Sequence, residues 1–139
     1  MDTRTILLII FPVVSGIISS WITYLFTIKV KKNENIIRFK EEKYGNLLIY
    51  LQGFVGNTAS GEIKKKFFEE QYKSWLYASD KVIKSMNELI NLLIEQKGQK
   101  PDEKKGHAII GNIILEMRKD LLGKTNLKNN DFRYTDVRE

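Results

Sequence analysis

The residues able to carry chemistry in this chain are few. His107 is the only histidine and there is no cysteine, which excludes disulfides, thiolate metal ligands and cysteine nucleophiles. The stretch around the histidine, EKKGHAIIG, offers no second ligand four residues further along a helix, as a metal motif would require. We therefore interpret His107 as a surface or partly buried helix residue.

The acidic residues also lack a catalytic arrangement. Glu69 and Glu70 are adjacent, so on a helix they point in different directions, and lysines such as Lys66 and Lys73 lie at ion-pairing distance along the same helix. The glycine-rich stretch QGFVGNTASG, residues 52–61, lacks the Lys-Ser/Thr ending of a phosphate-binding loop and does not follow a strand. We predict no catalytic, cofactor or metal site, and we do not expect an enzyme.

The first segment is apolar and long enough to cross a membrane. No charged side chain occurs in residues 5–28, and about twenty apolar residues span the hydrocarbon core as a helix. A cleaved signal peptide has an apolar region of about 7–15 residues and a small-residue cleavage site. This run is longer, contains no alanine and is followed by KVKKNENIIRFK. We therefore predict an uncleaved transmembrane helix.

Charged flanks predict the orientation of that helix. The positive charges before the run are Arg4 and the amino terminus. Six basic residues follow it closely: Lys29, Lys31, Lys32, Arg38, Lys40 and Lys43. Because lysine and arginine stay on the cytoplasmic side, the N-terminus should lie outside and residues 29–139 in the cytoplasm of an inner-membrane protein. The residues expected to contact anionic headgroups are Lys29, Lys31, Lys32, Trp21 and Tyr24.

Small residues within the apolar run mark a candidate self-association seam. Ser15 and Ser19 are four positions apart, as are Gly16 and Ser20. Small residues at this spacing let two membrane helices approach closely, although the pattern also occurs by chance in spanning helices.

The remaining chain has helical periodicity almost throughout. Apolar residues recur at steps of three and four, which predicts buried helical faces. The first face is Ile37, Tyr44, Leu47, Leu48, Leu51, Phe54 and Val55, and the second is Ile63, Phe67, Phe68, Tyr72, Trp75 and Leu76. A third stripe begins at Val82, and the last is Ile109, Ile110, Ile113, Ile114, Met117 and Leu121.

Polar residues and glycines mark where these helices begin and end. Asn33 or Asn35 could cap the first cytoplasmic helix, unless it continues from the membrane. GNTASG at 56–61 predicts a turn before a helix starting near Ser60, and Asp102 and Gly123 are typical of the start and end of the last helix. Residues 62–96 could form one long kinked helix or two, and the tail's order is left open.

We predict an all-α protein with a single N-terminal transmembrane helix and a small three- or four-helix antiparallel bundle. The predicted segments are an external N-terminus at 1–4, a transmembrane helix at 5–28, a basic juxtamembrane segment at 29–43, a cytoplasmic helical bundle at 44–123 and a C-terminal tail at 124–139.

The chain resembles a set of uncharacterised small prokaryotic membrane proteins. The resemblance is carried by three distinctive stretches: GNTASGE, WLYASD and the MRKDL…T.L…DF pattern near the end. The resemblance covers roughly residues 43–136. It implies one N-terminal transmembrane helix and a short cytoplasmic helical domain, and it assigns no activity.

Three functions fit these patterns. The first is a membrane-tethered interaction module that binds a protein partner or itself, with candidate contacts at Asn57, Thr58, Ser60, Asp131, Phe132 and Arg133. The second is a membrane effector, of toxin or defence type, that assembles through its transmembrane helix. The third, which we disfavour, is a tethered nucleic-acid binder. It is suggested by the net charge of +6 and the basic, aromatic stretch 64–77, whose helical spacing instead favours core packing.

Overall fold

The computed structural model describes residues 2–54, 60–96 and 102–133. Within those ranges every regular element is helical, which confirms the all-α class. The α-helices are α1 (Thr3–Leu51), α2 (Gly61–Ser74), α3 (Asp80–Glu95) and α4 (Glu103–Leu122), with short 3₁₀ turns at Gln52–Phe54 and Asn129–Asp131.

The chain divides into two compact units, Met1–Arg38 and Phe39–Glu139. The first is the N-terminal part of α1, and no residue of its most apolar stretch is buried. Among the described residues this is the one helix long and apolar enough to cross a membrane, judged by length and composition. Pro12 lies inside α1 without ending it, as prolines can in membrane helices.

The second unit has its own hydrophobic core. α3 and α4 pack against each other, α4 packs against the 3₁₀ turn that follows it, and α2 packs against the turn at Gln52–Phe54. The fully buried apolar side chains come from all four helices: Leu47, Leu51, Phe67, Val82, Met86, Leu89 and Ile113. Burying such side chains contributes about 1.5–3 kcal/mol each against chain entropy.

Local chemistry explains most helix ends. The Asp102 carboxylate accepts a hydrogen bond from the backbone N–H of Lys105 at 3.1 Å, as predicted for an N-cap. α4 ends at Gly123, whose φ of 80° lies in the left-handed region that glycine adopts without a steric penalty. α2 follows Ser60, close to the predicted start.

The structure settles two alternatives that the sequence left open. Residues 62–96 form two helices, because α2 ends at Ser74 and α3 begins at Asp80 after Ser79. α1 continues through Asn33 and Asn35, so neither residue caps a separate helix.

Part of the predicted core is wrong. Ile37 and Leu48 are 45% and 41% exposed. In the second stripe Phe67 is buried and Phe68 is partly buried, as expected, but the residues that follow are open to solvent: Tyr72 at 75%, Trp75 at 61% and Leu76 at 90%. For Trp75 and Leu76 the physical reason is that α2 ends at Ser74, so both lie in the turn beyond it and leave the buried face, whereas Tyr72 lies on the exposed side of α2 itself.

Candidate functional site

Three hydroxyls of the apolar segment are satisfied within their own helix. Ser15 Oγ donates to the carbonyl of Pro12 at 2.9 Å, and Thr23 Oγ1 donates to the carbonyl of Ser19 at 2.8 Å. Thr27 Oγ1 repeats the pattern with the carbonyl of Thr23 at 2.8 Å. A hydroxyl bonded back to the preceding turn needs no water, which lowers the cost of placing it in hydrocarbon.

One face of this segment carries a shallow groove. It is lined by Pro12, Val13, Gly16, Ile17, Ser20, Trp21 and Tyr24. The predicted seam residues Gly16 and Ser20 share this groove, whereas Ser15 and Ser19 are not among its lining residues. A Cβ added at Gly16 would meet no atom within 4 Å, so this face is free for a close approach.

The predicted headgroup contacts all lie on α1. Lys29, Lys31 and Lys32 are exposed and, among the described residues, take part in no ion pair. Trp21 and Tyr24 are 66% and 63% exposed and lie one helical turn apart, as amphipathic rings at one level of an interface would.

A polar cluster joins α1 to α4 in the second unit. The Asp120 carboxylate accepts hydrogen bonds from Lys40 Nζ at 2.9 Å and from Tyr44 Oη. The side chains of Lys40 and Asp120 are only 18% and 13% exposed. Burial, followed by the bond to Asp120, raises the pKa of Tyr44 well above its ordinary value. The charges of Lys40 and Asp120 are thus paired with each other in a place where little water reaches them.

Tyr77 lies beside this cluster. Its ring is 5.4 Å from that of Phe39 and 5.9 Å from that of Tyr44, measured between centroids. Its hydroxyl is buried and has no hydrogen-bond partner among the described residues. Burial, and then the negative charge of Glu70, raises the pKa of Tyr77 to about 12.

The sequence reasoning missed the Lys40–Tyr44–Asp120 cluster. Its members are separated by 80 and 76 positions, and no local pattern pairs them. A usable signal was Asp120 itself, because a carboxylate next to the buried stripe of an amphipathic helix needs a partner when the helix packs.

The predicted partner contacts belong to two places. Ser60 lies just before α2 and its side chain makes no capping bond, whereas Asn57 and Thr58 lie outside the described residues. Asp131 ends the turn after α4 and its carboxylate accepts from the backbone N–H of Lys128 at 2.8 Å. Phe132 is 37% exposed, and Arg133 is exposed.

The residues considered for chemistry lie on α2 and α4. Across residues 2–54, 60–96 and 102–133 there is no group of three or more side chains that could hold a metal ion. His107 is exposed on α4. Glu62 pairs with Lys66 at 2.8 Å on the surface, whereas Glu70, whose side chain is 13% exposed, pairs with the exposed Lys73 at 2.6 Å.

No family model, curated protein or solved structure matches this chain. The resemblance to small prokaryotic membrane proteins stays a prediction.

Proposed function

We propose that this chain is a single-pass inner-membrane protein whose helical domain is an interaction module at the cytoplasmic face. One observation carries the proposal: an apolar helix with no buried surface adjoins a unit that has a separate core. Large apolar side chains that the fold itself leaves exposed are normally covered by lipid or by another chain. The lysines that follow favour an external N-terminus.

In this proposal the second unit is a small antiparallel bundle of three or four helices. The α3–α4 contact, the core shared by all four helices and the Lys40–Tyr44–Asp120 cluster support such an arrangement. Tethering confines the domain and its partner to one surface and so raises their effective concentration. A modest interface would then suffice for binding.

Site-specific photo-crosslinking in membranes tests the module directly. A crosslinking residue at Arg133, in the proposed contact tail, should give a discrete adduct with a partner or a second copy. The same residue at Glu41, exposed on α1, is the matched control and should give none. If Arg133 and every other proposed contact give no adduct in native membranes, the module proposal is wrong.

A second candidate, a membrane effector that assembles through its helix, is favoured by the groove at Gly16 and Ser20. The chain lacks cysteine, so single cysteines report proximity without background. A disulfide-linked dimer should form with either single variant, Gly16→Cys or Ser20→Cys. The yield of this dimer should be lower with Ser15→Cys. Induced expression that leaves growth and membrane potential unchanged would exclude the effector function.

The third candidate, a nucleic-acid binder, draws less support. Phe67 and Phe68 pack edge-to-face with Phe54, at centroid distances of 5.0 and 6.1 Å, so these two rings are not offered as a stacking platform. Tyr72 and Trp75 are the exposed aromatic residues of the stretch. Any phosphate-driven binding should be strongest at low salt. Absence of binding to single-stranded DNA and RNA there would dismiss this candidate.

A further inference from the structure

Three exposed apolar side chains form an unusual group at the end of α2. Tyr72, Trp75 and Leu76, here called the aromatic patch, are 75%, 61% and 90% exposed. All three lie within five consecutive residues, in the last turn of α2 and just after it. A cluster of this kind on a small domain normally marks a surface that is covered in use.

The aromatic patch lies at a defined end of the second unit. Tyr77, directly after Leu76, contacts Phe39, the first residue of that unit. The end of α4 lies there too, because Asp120 binds Lys40. The patch therefore lies at the same end of the second unit as Phe39 and the end of α4. The opposite end holds the close of α3, where Glu95 is 3.9 Å from Lys105.

Four lysines lie at this end of the unit, and the exposed Asp80 lies beside one of them, Lys81. Lys73 is in the last turn of α2, Lys81 is exposed in the first turn of α3, Lys119 lies in the last turn of α4, and Lys124 is exposed beyond it. Lys73 and Lys119 pair with Glu70 and Glu116, respectively, but those carboxylates are only 13% and 11% exposed while the lysines are 61% and 41% exposed. In both pairs the lysine is therefore the more exposed partner.

We propose that the aromatic patch lies in the headgroup layer of an anionic bilayer, with Lys81 and Lys124 against the lipid phosphates. Tryptophan and tyrosine prefer this layer because they have an apolar ring and a polar tip, and leucine adds buried apolar area. Lysines near an anionic leaflet are attracted by its negative surface potential. The inference rests on the proposed membrane tether, which keeps this end of the domain within reach of lipid.

The two tryptophans allow anchor and patch to be read separately in the full-length chain. Trp75→Phe leaves Trp21 as the reporter of the anchor, and Trp21→Phe leaves Trp75 as the reporter of the patch. Each variant is reconstituted in vesicles of equal parts phosphatidylglycerol and brominated phosphatidylcholine, with unbrominated vesicles for comparison. Bromine on the acyl chains quenches only tryptophans at the bilayer, whereas iodide quenches those in water.

A matched control places the reporter at the other end of the unit. Ile94 is 64% exposed, close to the value for Trp75, and lies in the last turn of α3. The triple variant Trp21→Phe, Trp75→Phe, Ile94→Trp therefore shows how a domain tryptophan away from the bilayer behaves. It should be quenched by iodide and unaffected by brominated lipid.

The expected result is that brominated lipid removes most of the Trp75 emission, and that replacing phosphatidylglycerol with phosphatidylcholine reverses much of this loss. Trp75 quenched by iodide like the Ile94→Trp control, or by neither quencher because protein covers it, would overturn the inference. Trp21 quenched by brominated lipid while Trp75 is not would leave the tether standing and refute the patch alone. A Trp21 that escapes quenching would refute the tether itself, and the inference with it.

Discussion

Asp120 shows how a single carboxylate can hold two helices together. It accepts from Lys40 and Tyr44, both on α1, while lying on α4. Hydrogen bonds to charged groups contribute more than neutral ones, because ionisation shortens and strengthens them. The cluster therefore fixes where α1 meets α4, which apolar contacts alone specify less sharply.

We expect Tyr44→Phe to lower the free energy of unfolding of the second unit by about 1.5–3 kcal/mol, since it removes a hydrogen bond to a partly buried carboxylate. Denaturant unfolding followed by circular dichroism measures the change. Lys66→Met is the matched control, because it breaks the exposed pair with Glu62 and should change stability much less than Tyr44→Phe, since solvent screens an exposed ion pair. If the two substitutions lower the free energy of unfolding equally, the cluster stabilises the unit no more than an exposed ion pair does.

Tyr77 makes stability depend on pH. Its pKa is about 12 in the folded chain against 10.0 ordinarily, so the unfolded chain releases this proton first. The contribution of Tyr77 is therefore complete below pH 10 and is lost as the pH rises from 10 through 12. Tyr77→Phe should make the alkaline fall in stability shallower than in the parent chain.

At neutral pH the same substitution should be neutral or should raise stability by up to about 1 kcal/mol, because it removes a buried hydroxyl for which the described part of the chain offers no partner. Unfolding titrations at pH 8 and pH 11 on parent and variant measure both effects. A Tyr77→Phe chain that loses stability at pH 8 would show that the hydroxyl is satisfied after all.

At the scale of elements, the packing of the tail on α4 depends on one glycine. A Cβ at Gly111 would lie 2.7 Å from the backbone oxygen of Asn129, and backbone atoms cannot move aside cheaply. Gly111→Ala should therefore cost about 1–3 kcal/mol through overpacking, despite the better helix propensity of alanine. Limited trypsin digestion after Lys124 and Lys128 should become faster as the tail is displaced.

Gly106→Ala is the control on the same helix, because nothing lies within 4 Å of its Cβ position. It should raise stability by up to about 1 kcal/mol and leave trypsin cleavage unchanged. If both alanines act alike, the tail does not pack on Gly111.

The cap of α4 makes a second prediction at this scale. Asp102→Ala should cost about 0.5–2 kcal/mol, because its carboxylate accepts the Lys105 N–H. Ser79→Ala, at the N-cap of α3, should cost less, since the Ser79 side chain makes no capping bond. Thermal unfolding of the two variants side by side gives the comparison, and a larger loss for Ser79→Ala would contradict it.

Helix existence and several helix ends were predictable from sequence because their causes are local. The Asp102 cap, the Gly123 stop and the start of α2 near Ser60 follow from side chains within a few residues of each end. Which half of an apolar stripe is buried was less predictable. α2 ends at Ser74, which leaves Trp75 and Leu76 exposed. The prediction that they are buried was wrong because it assumed that the helical spacing continues beyond this end.

At the scale of the whole molecule, the apolar segment could be recognised from composition alone, because hydrocarbon selects for length and lack of charge. The pairing of α1 with α4 could not, since Lys40 and Tyr44 meet Asp120 only after the chain has folded back over about eighty residues. Long-range polar contacts of this kind have no local signature. The candidate contact stretch at 56–59 also lies outside the described residues.

The proposed function requires that residues 5–28 cross the bilayer and that the lysines after them, from Lys29 onward, lie in the cytoplasm. Single cysteines at Thr3 and Asn126, introduced into this cysteine-free chain, can be labelled in intact cells with a membrane-impermeant maleimide. We predict that Thr3→Cys is labelled from outside and that Asn126→Cys is labelled only after permeabilisation. Labelling of Asn126→Cys in intact cells, or recovery of the full chain in the soluble fraction, would contradict the account.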